Sequence, residues 1–147
     1  MIQFMRGNMF DSGADILVNP VNCVGVMGKG IALEFKRRWP EMFQEYRVEC
    51  MQKRLRIGTD FTWSAVDGSG TIINIPTKRH WKDQSTYEDL EVSLAVLRAR
   101  TVGLGKRWSV AMPALGCGNG GLDWARVKPM VIDTLGSLPN TIYVFEP

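Results

Sequence analysis

The sequence has a single histidine, His80, and only three cysteines, Cys23, Cys50 and Cys117, with no CxxC pair among them. One imidazole excludes a metal site built on several histidines and confines Ser-His-Asp or Cys-His machinery to one position. Three widely spaced cysteines make a poor disulfide framework and read as the reduced thiols of a cytoplasmic chain. No run approaches the ~18 uninterrupted apolar residues of a spanning helix, and the opening MIQFMRGNMF lacks the basic-then-apolar order of a secretory leader, so no membrane partner is expected. Charge of one sign is also missing, since 18 Lys and Arg stand against 15 Asp and Glu for a net +3. Affinity for a polyanion must therefore come from local clusters. Repeats, low-complexity tracts and long linkers are absent, and 147 residues, 45% hydrophobic and 22% charged, suit one domain over 1–147 with its own core.

Six short β-branched or aromatic segments bounded by Gly, Pro, Asn or Asp predict strands: Ile2 to Arg6, Asp15 to Asn19, Thr59 to Val66, Thr71 to Ile75, Ser109 to Met112 and Thr141 to Phe145. Helical patterns lie between them at Gly30 to Trp39, Glu41 to Lys53, Tyr87 to Leu104 and Trp124 to Leu135. In the third, Leu90, Leu94 and Leu97 recur at helical spacing with Val92 and Val96 alongside, an apolar stripe that needs a sheet to cover it. Strands alternating with helices of ten or more residues, and strands as continuously apolar as DILVNP and SVAMPAL, predict a largely parallel α/β sheet covered on both faces.

Two long glycine loops each follow a strand and open a helix. The first runs from Asn19 to Gly30 and carries Gly25, Gly28 and Gly30; the second runs from Pro113 to Leu122 and carries Gly116, Gly118, Gly120 and Gly121. Glycine lets a ligand approach the main chain, and the helix start behind each loop presents unpaired N–H groups, so each is a plausible anion cradle. Together, at the carboxyl edge of one sheet, they can enclose a diphosphate. Two familiar alternatives fit poorly. In the first loop Lys29 precedes the second glycine of the pair, where a P-loop lysine must follow it. Gly116, Gly118 and Gly121 satisfy GxGxxG, but the acid expected about 20 residues on, at the end of the next strand, has no good counterpart, Glu146 coming too late.

The segment Ile75 to Lys82 concentrates Lys78, Arg79, His80, Trp81 and Lys82 at the end of a buried-looking strand. A lysine there can act as an electrostatic clamp or, with its pKa lowered, as an amine nucleophile toward a sugar's masked aldehyde. A solvated basic loop is the plainer alternative. Cys117 near a helix start is a candidate thiolate, against the simpler reading of a small loop filler. Lys36, Arg37 and Arg38, and Lys53, Arg54 and Arg56, read as solvated helix ends, and most of the tryptophans as packing, with Trp81 able to stack on a base.

Taken in order, Gly7-Asn8, Val18-Asn19-Pro20-Val21-Asn22, GVMGKGIA, IPTK and MPALGCGNGGLDW resemble the macrodomains, ADP-ribose-binding modules, over essentially the whole chain. NCVGVMGKGIALEFK and PTKRHW are most similar to the branch shared by the terminal ADP-ribose protein glycohydrolase and the DarG antitoxins. That resemblance implies a three-layer α/β/α macrodomain with a mixed, largely parallel six-stranded sheet. It implies an ADP-ribosyl glycohydrolase acting on thymidine in DNA, with Lys78 as the catalytic lysine, no cofactor and no metal. Gly25, Val26, Met27, Gly28, Lys29 and Gly30, with Gly116, Cys117, Gly118, Asn119, Gly120 and Gly121, would hold the diphosphate, and Leu115 would border the substrate. Asn22 would lie by the distal ribose, Thr77, His80 and Trp81 would border the substrate, and Asn8 would accept from the adenine amino group with its amide oxygen where many relatives carry aspartate. The protein-deglycosylating relative has a catalytic aspartate in its second loop, a stretch without any acid here; Asp123 just beyond is placed to cap a helix. The partners implied are ADP-ribose, ADP-ribosylated single-stranded DNA and a DarT-type toxin, for a monomer in the cytoplasm. The alternatives are removal of ADP-ribose from protein carboxylates, hydrolysis of a small ADP-ribose ester, and binding without catalysis.

Overall fold

The computed structural model describes residues 1–147. Six strands, β1 (Ile2–Met5), β2 (Ile16–Val21), β3 (Phe61–Ser64), β4 (Thr71–Pro76), β5 (Val110–Pro113) and β6 (Ile142–Phe145), form one sheet in the order β1-β6-β5-β2-β4-β3. Every neighbouring pair is parallel except β3 with β4, which leaves the antiparallel strand at an edge. Four helices follow the expected pattern: α1 (Gly30–Arg38), α2 (Pro40–Met51), α3 (Tyr87–Leu104) and α4 (Trp124–Leu135).

Alternation along the strands decides which layer each residue joins. Ile16, Val18, Ile73, Ile75, Val110, Met112, Ile142 and Val144 pack against Leu90, Leu94 and Leu97 of α3 and Val127, Val131 and Leu135 of α4. Leu17, Val21, Ile72, Ala111 and Phe145 pack on the other face against Phe35 of α1 and Met42, Phe43 and Tyr46 of α2. Each buried aliphatic side chain contributes about 1.5–3 kcal/mol over its exposed state, so a strand slipped by one residue would exchange both cores at once. Val92 does not join the α3 stripe; it is exposed, because two residues beyond Leu90 it lies on the opposite side of the helix.

Several element ends differ from the sequence expectation. β2 runs on to Val21, through Pro20, although it is a central strand. Its pairing with β5 stops at Leu17, while its pairing with β4 continues to Val21, so Pro20 interrupts no ladder on the β5 side. β3 is shorter than the pattern suggests: Thr59 is tied into a turn with Arg56, and the bond from Ala65 N to Gly70 O opens the next one. A single 3-10 turn, Met9–Asp11, follows β1 and is capped by the Asn8 side chain. Parallel order places the carboxyl ends of β1, β6, β5, β2 and β4 along one edge, where both glycine loops emerge.

Candidate functional site

A cavity of about 890 Å³ opens along that edge, in the size range of small-molecule sites. At its β4 end stand Thr77, Lys78 and Trp81. Loop one contributes Asn22, Val26, Gly28, Lys29 and Gly30, and loop two contributes Gly116, Gly118, Asn119 and Gly120. Asn8, Phe10, Phe145 and Glu146 line the β1–β6 end.

Loop one is shaped by Asn22. Its Oδ1 accepts from Val24 N at 3.1 Å and Val26 N at 3.4 Å, and its Nδ2 donates to Val26 O at 2.8 Å. From below, the buried Tyr46 hydroxyl donates to both Asn22 O and Oδ1 at 2.9 Å. Asn22 therefore lines the cavity chiefly as the organiser of the loop, with one amide hydrogen left for a ligand. The loop ends at α1, whose N-cap is Lys29 with no side-chain capping bond, in contrast to α3 and α4, which are capped by Thr86 and Asp123. The uncapped first-turn N–H groups of α1 lie at the cavity, an arrangement suited to an anion.

Loop two meets loop one overhead, since a Cβ on Gly30 would come 2.9 Å from Asn119 Nδ2. It is braced by Ser85, whose N donates to Gly120 O at 2.9 Å. A Cβ on Gly120 would fall 2.5 Å from both Gly116 O and Ser85 Oγ, so only glycine fits there. Gly118, in contrast, has open space on the cavity side.

The lysine at the β4 end is held by its own loop: Lys78 Nζ donates to Trp81 O at 3.1 Å, and no carboxylate pairs with it. Burial pushes Lys78 below the ordinary lysine range, and the charge on Lys29 adds to the shift, against an upward pull from Asp83. Cys23 N, donating to Arg79 O at 3.0 Å, ties this segment to loop one. The site thus offers a lysine without a carboxylate partner at one end, two peptide-lined loops at the centre and a carboxylate at the other end.

Six residues expected at the substrate do not line the cavity. Met27 and Leu115 are buried in the two cores, because each is the apolar anchor that pins its loop to the sheet. Gly25 sits over Arg47 and Cys50 of α2, and Gly121 over Gln84; both supply positive-φ turns behind the loops. Cys117 turns its thiol toward Leu115 O at 3.4 Å, and burial pushes it up to about 11, which removes it as a thiolate nucleophile. His80 stacks on Trp81 with centroids 5.5 Å apart and accepts from Lys82 N at 3.1 Å, so its ring shapes the turn. Asp123 caps α4 through its bond from Ala125 N at 3.0 Å. Phe10, Phe145 and Glu146 were not anticipated. For Phe145, the last residue of β6, and Glu146, the next, the available signal was position at a parallel strand's carboxyl end; Phe10, in the 3-10 turn five residues past β1, carried no such signal.

A family model, the Macro domain, matches residues 18–131. The chain belongs to the macro domain family. It is 43% identical to a Mycobacterium tuberculosis protein named DNA ADP-ribosyl glycohydrolase, an alignment covering 100% of this macro domain and 42% of that protein. It is similar to the solved macrodomain of Thermus aquaticus DarG, at 40% identity and a TM-score of 0.92, covering 100% of this chain and 99% of that one. A further similar structure is Thermosipho africanus DarTG in complex with ADP-ribose, at 32% identity and a TM-score of 0.90, covering 99% of this chain and 41% of that one. The chain thus spans well under half the length of the curated relative. The three-layer architecture and mixed six-stranded sheet agree with the DarG macrodomain fold.

Proposed function

We propose that this macro domain binds ADP-ribose along the cavity and releases it from thymidine in single-stranded DNA. The observation that carries the reading is Lys78: an amine without a carboxylate partner, its proton affinity lowered by burial, at one end of a cavity whose centre is lined by two glycine loops. The names carried by its relatives point the same way, toward DNA ADP-ribosyl glycohydrolase for the M. tuberculosis protein and ADP-ribose for the Thermosipho complex. In this reading the diphosphate lies between the loops, met by the amides that open α1 and by Lys29, and the distal ribose reaches Lys78.

Cleavage breaks the bond from the anomeric carbon of that ribose to a thymine nitrogen. Positive charge grows on the sugar and negative charge on the departing base. Two roles are open to Lys78. As an ammonium it would protonate or stabilise the leaving base. As a neutral amine it would add to the anomeric carbon, one amine proton going to the ring oxygen, which leaves as a hydroxyl, and the other to the departing thymine nitrogen, to give a Schiff base that water hydrolyses to free ADP-ribose and the amine. The lowered proton affinity favours the amine. Loop two carries no acid and Asp123 is engaged as a helix cap, which disfavours the protein-carboxylate alternative. A DarT-type toxin is the natural partner of such an activity.

The test is release of ADP-ribose from a thymidine-ADP-ribosylated oligonucleotide, set beside a glutamate-ADP-ribosylated protein. Wild type is expected to act on the DNA, and Lys78→Ala to lose turnover while still binding ADP-ribose by calorimetry. Turnover of the protein substrate alone, or of neither, would overturn the assignment, as would full activity in Lys78→Ala.

A further inference from the structure

The end of the cavity opposite Lys78 holds a carboxylate with no part in the chemistry above. Glu146, one residue beyond β6, lines the cavity with its side chain only 19% exposed. It is fixed from two directions, because Oε2 accepts from Trp124 Nε1 at 2.9 Å and from Lys128 Nζ at 3.1 Å. The holders are themselves held: Trp124 meets Phe4 edge-on with centroids 6.3 Å apart, and Lys128 Nζ lies 4.2 Å over the Phe4 ring. The backbone is anchored by Glu146 N donating to Met5 O at 2.9 Å. The other carboxylate oxygen, Oε1, receives no donor from the protein. The indole and the lysine hold the carboxyl below the usual glutamate range, so it is charged at neutral pH.

Strand order decides what this group would meet. From β6 to β4 there are three inter-strand steps, through β5 and β2, or about 14 Å at ~4.8 Å per step. With the distal ribose at Lys78 and the diphosphate between loops borne on β2 and β5, the adenosine half falls beyond β5, at β6 and β1. This placement rests on the ADP-ribose reading given above. A carboxylate only accepts, and the donors of adenosine are its amino group and its two ribose hydroxyls. Asn8 stands at the same end; its amide oxygen accepts from Phe10 N at 3.0 Å and keeps a second lone pair for the amino group. The hydroxyls remain, and a fixed carboxylate is the acceptor that dinucleotide-binding folds use for the same diol.

We propose that Glu146 is the specificity residue for the adenosine end of the ligand, accepting its ribose hydroxyls and excluding a nucleotide phosphorylated on that ribose. A 2′-phosphate would bring a dianion against Oε1 of a carboxylate that Trp124 and Lys128 fix through Oε2; the charges of Lys128 and Arg6 beside it oppose that repulsion, and the ratio of the two ligands reads which prevails. With the repulsion prevailing, the site selects ADP-ribose derived from the unphosphorylated dinucleotide over its 2′-phosphorylated counterpart.

Calorimetric titration of wild type, Glu146→Gln and Glu146→Ala with ADP-ribose and with 2′-phospho-ADP-ribose tests this. Like-charge juxtaposition should make wild type prefer ADP-ribose by about tenfold or more. Glu146→Gln keeps an acceptor for the indole, and is expected to bind ADP-ribose within about tenfold of wild type, the loss of one charge-assisted bond, while its preference falls to about threefold or less. Glu146→Ala is expected to lose the preference as well. A carboxylate that merely braces Trp124 and Lys128 would weaken both ligands alike and leave the ratio unmoved, which overturns the proposal. Equal binding of the two ligands by wild type also overturns it. Failure of wild type to bind ADP-ribose at all is a separate result, which removes the premise and the function reading together.

Discussion

At the scale of single residues, Asn22 and Tyr46 show how a cavity loop is kept in shape by hydrogen bonds made beneath it. The Tyr46 hydroxyl, wholly buried, shares its proton between Asn22 O and Oδ1, and burial raises its own pKa above the ordinary range, so it remains a donor at any working pH. Tyr46→Phe leaves the core packing intact and removes that donor. Its expected cost is about 1–2 kcal/mol in urea unfolding with an unchanged slope. ADP-ribose affinity should fall as well, because Val24 and Val26 lose their organised acceptor. A Tyr46→Phe protein as stable as wild type would mean that the bond seen at 2.9 Å carries no weight in the loop. The same scale governs Lys78. If the amine is the reacting form, the rate of release rises with pH and levels off at a pKa below the ordinary lysine range, because deprotonation produces the active species. A rate that instead falls across that pKa would identify the ammonium as the working form.

At the scale of elements, the two glycine loops separate glycines that permit the fold from those that leave room for a ligand. Gly120 belongs to the first kind, with backbone and Ser85 2.5 Å from any added Cβ; Gly118 belongs to the second, with nothing near it. Gly120→Ala is therefore expected to destabilise by about 1–3 kcal/mol, as overpacking does, seen as a lowered urea midpoint. Gly118→Glu should unfold at the wild-type midpoint yet fail to bind ADP-ribose, since on the proposed reading a bulky like charge would fill the diphosphate position. Normal calorimetric binding by Gly118→Glu would remove loop two from the binding site. From the sequence these glycines are indistinguishable, because the difference lies in how the loop folds back on Gly116 O and in Ser85, which arrives from a different part of the chain. The elements themselves were far more legible. All four helices were placed within two residues at each end, since their apolar periodicity and breakers such as Pro40 and Gly105 are local signals. Strand ends were less so: where β2 stops depends on which neighbour still pairs with it, and no local pattern carries that information.

At the scale of the whole molecule, sheet order turns residues distant in sequence into the two ends of one cavity. Lys78 stood out in the sequence because basic residues cluster around it at a strand's end. Glu146 did not, because its meaning depends on β6 lying between β1 and β5 and on Trp124 and Lys128 reaching it from α4. The outer rim near Lys78 raises the remaining question of how a DNA strand would be held. With a net charge of +3 the molecule has no general attraction for a polyanion, so any contact must be local. Trp81 is 44% exposed, with Lys82 Nζ 5.1 Å from its ring centroid, whereas the neighbouring Arg79 is paired with Asp89 at 3.1 Å. One or two cations are therefore available to phosphates outside the ADP-ribose cavity. Single-strand binding loses about 0.7 of logarithmic slope in salt per neutralised phosphate. Affinity of Lys78→Ala for a thymidine-ADP-ribosylated oligonucleotide should accordingly fall with salt more steeply than its affinity for free ADP-ribose, by a slope of about 0.7 to 1.4. On the proposed reading Lys29 and the glycine loops would meet the diphosphate of both ligands, so their contribution would cancel in the difference. What remains reports only the strand beyond the cavity, and equal slopes would mean that the rim around Trp81 and Lys82 takes no hold of DNA.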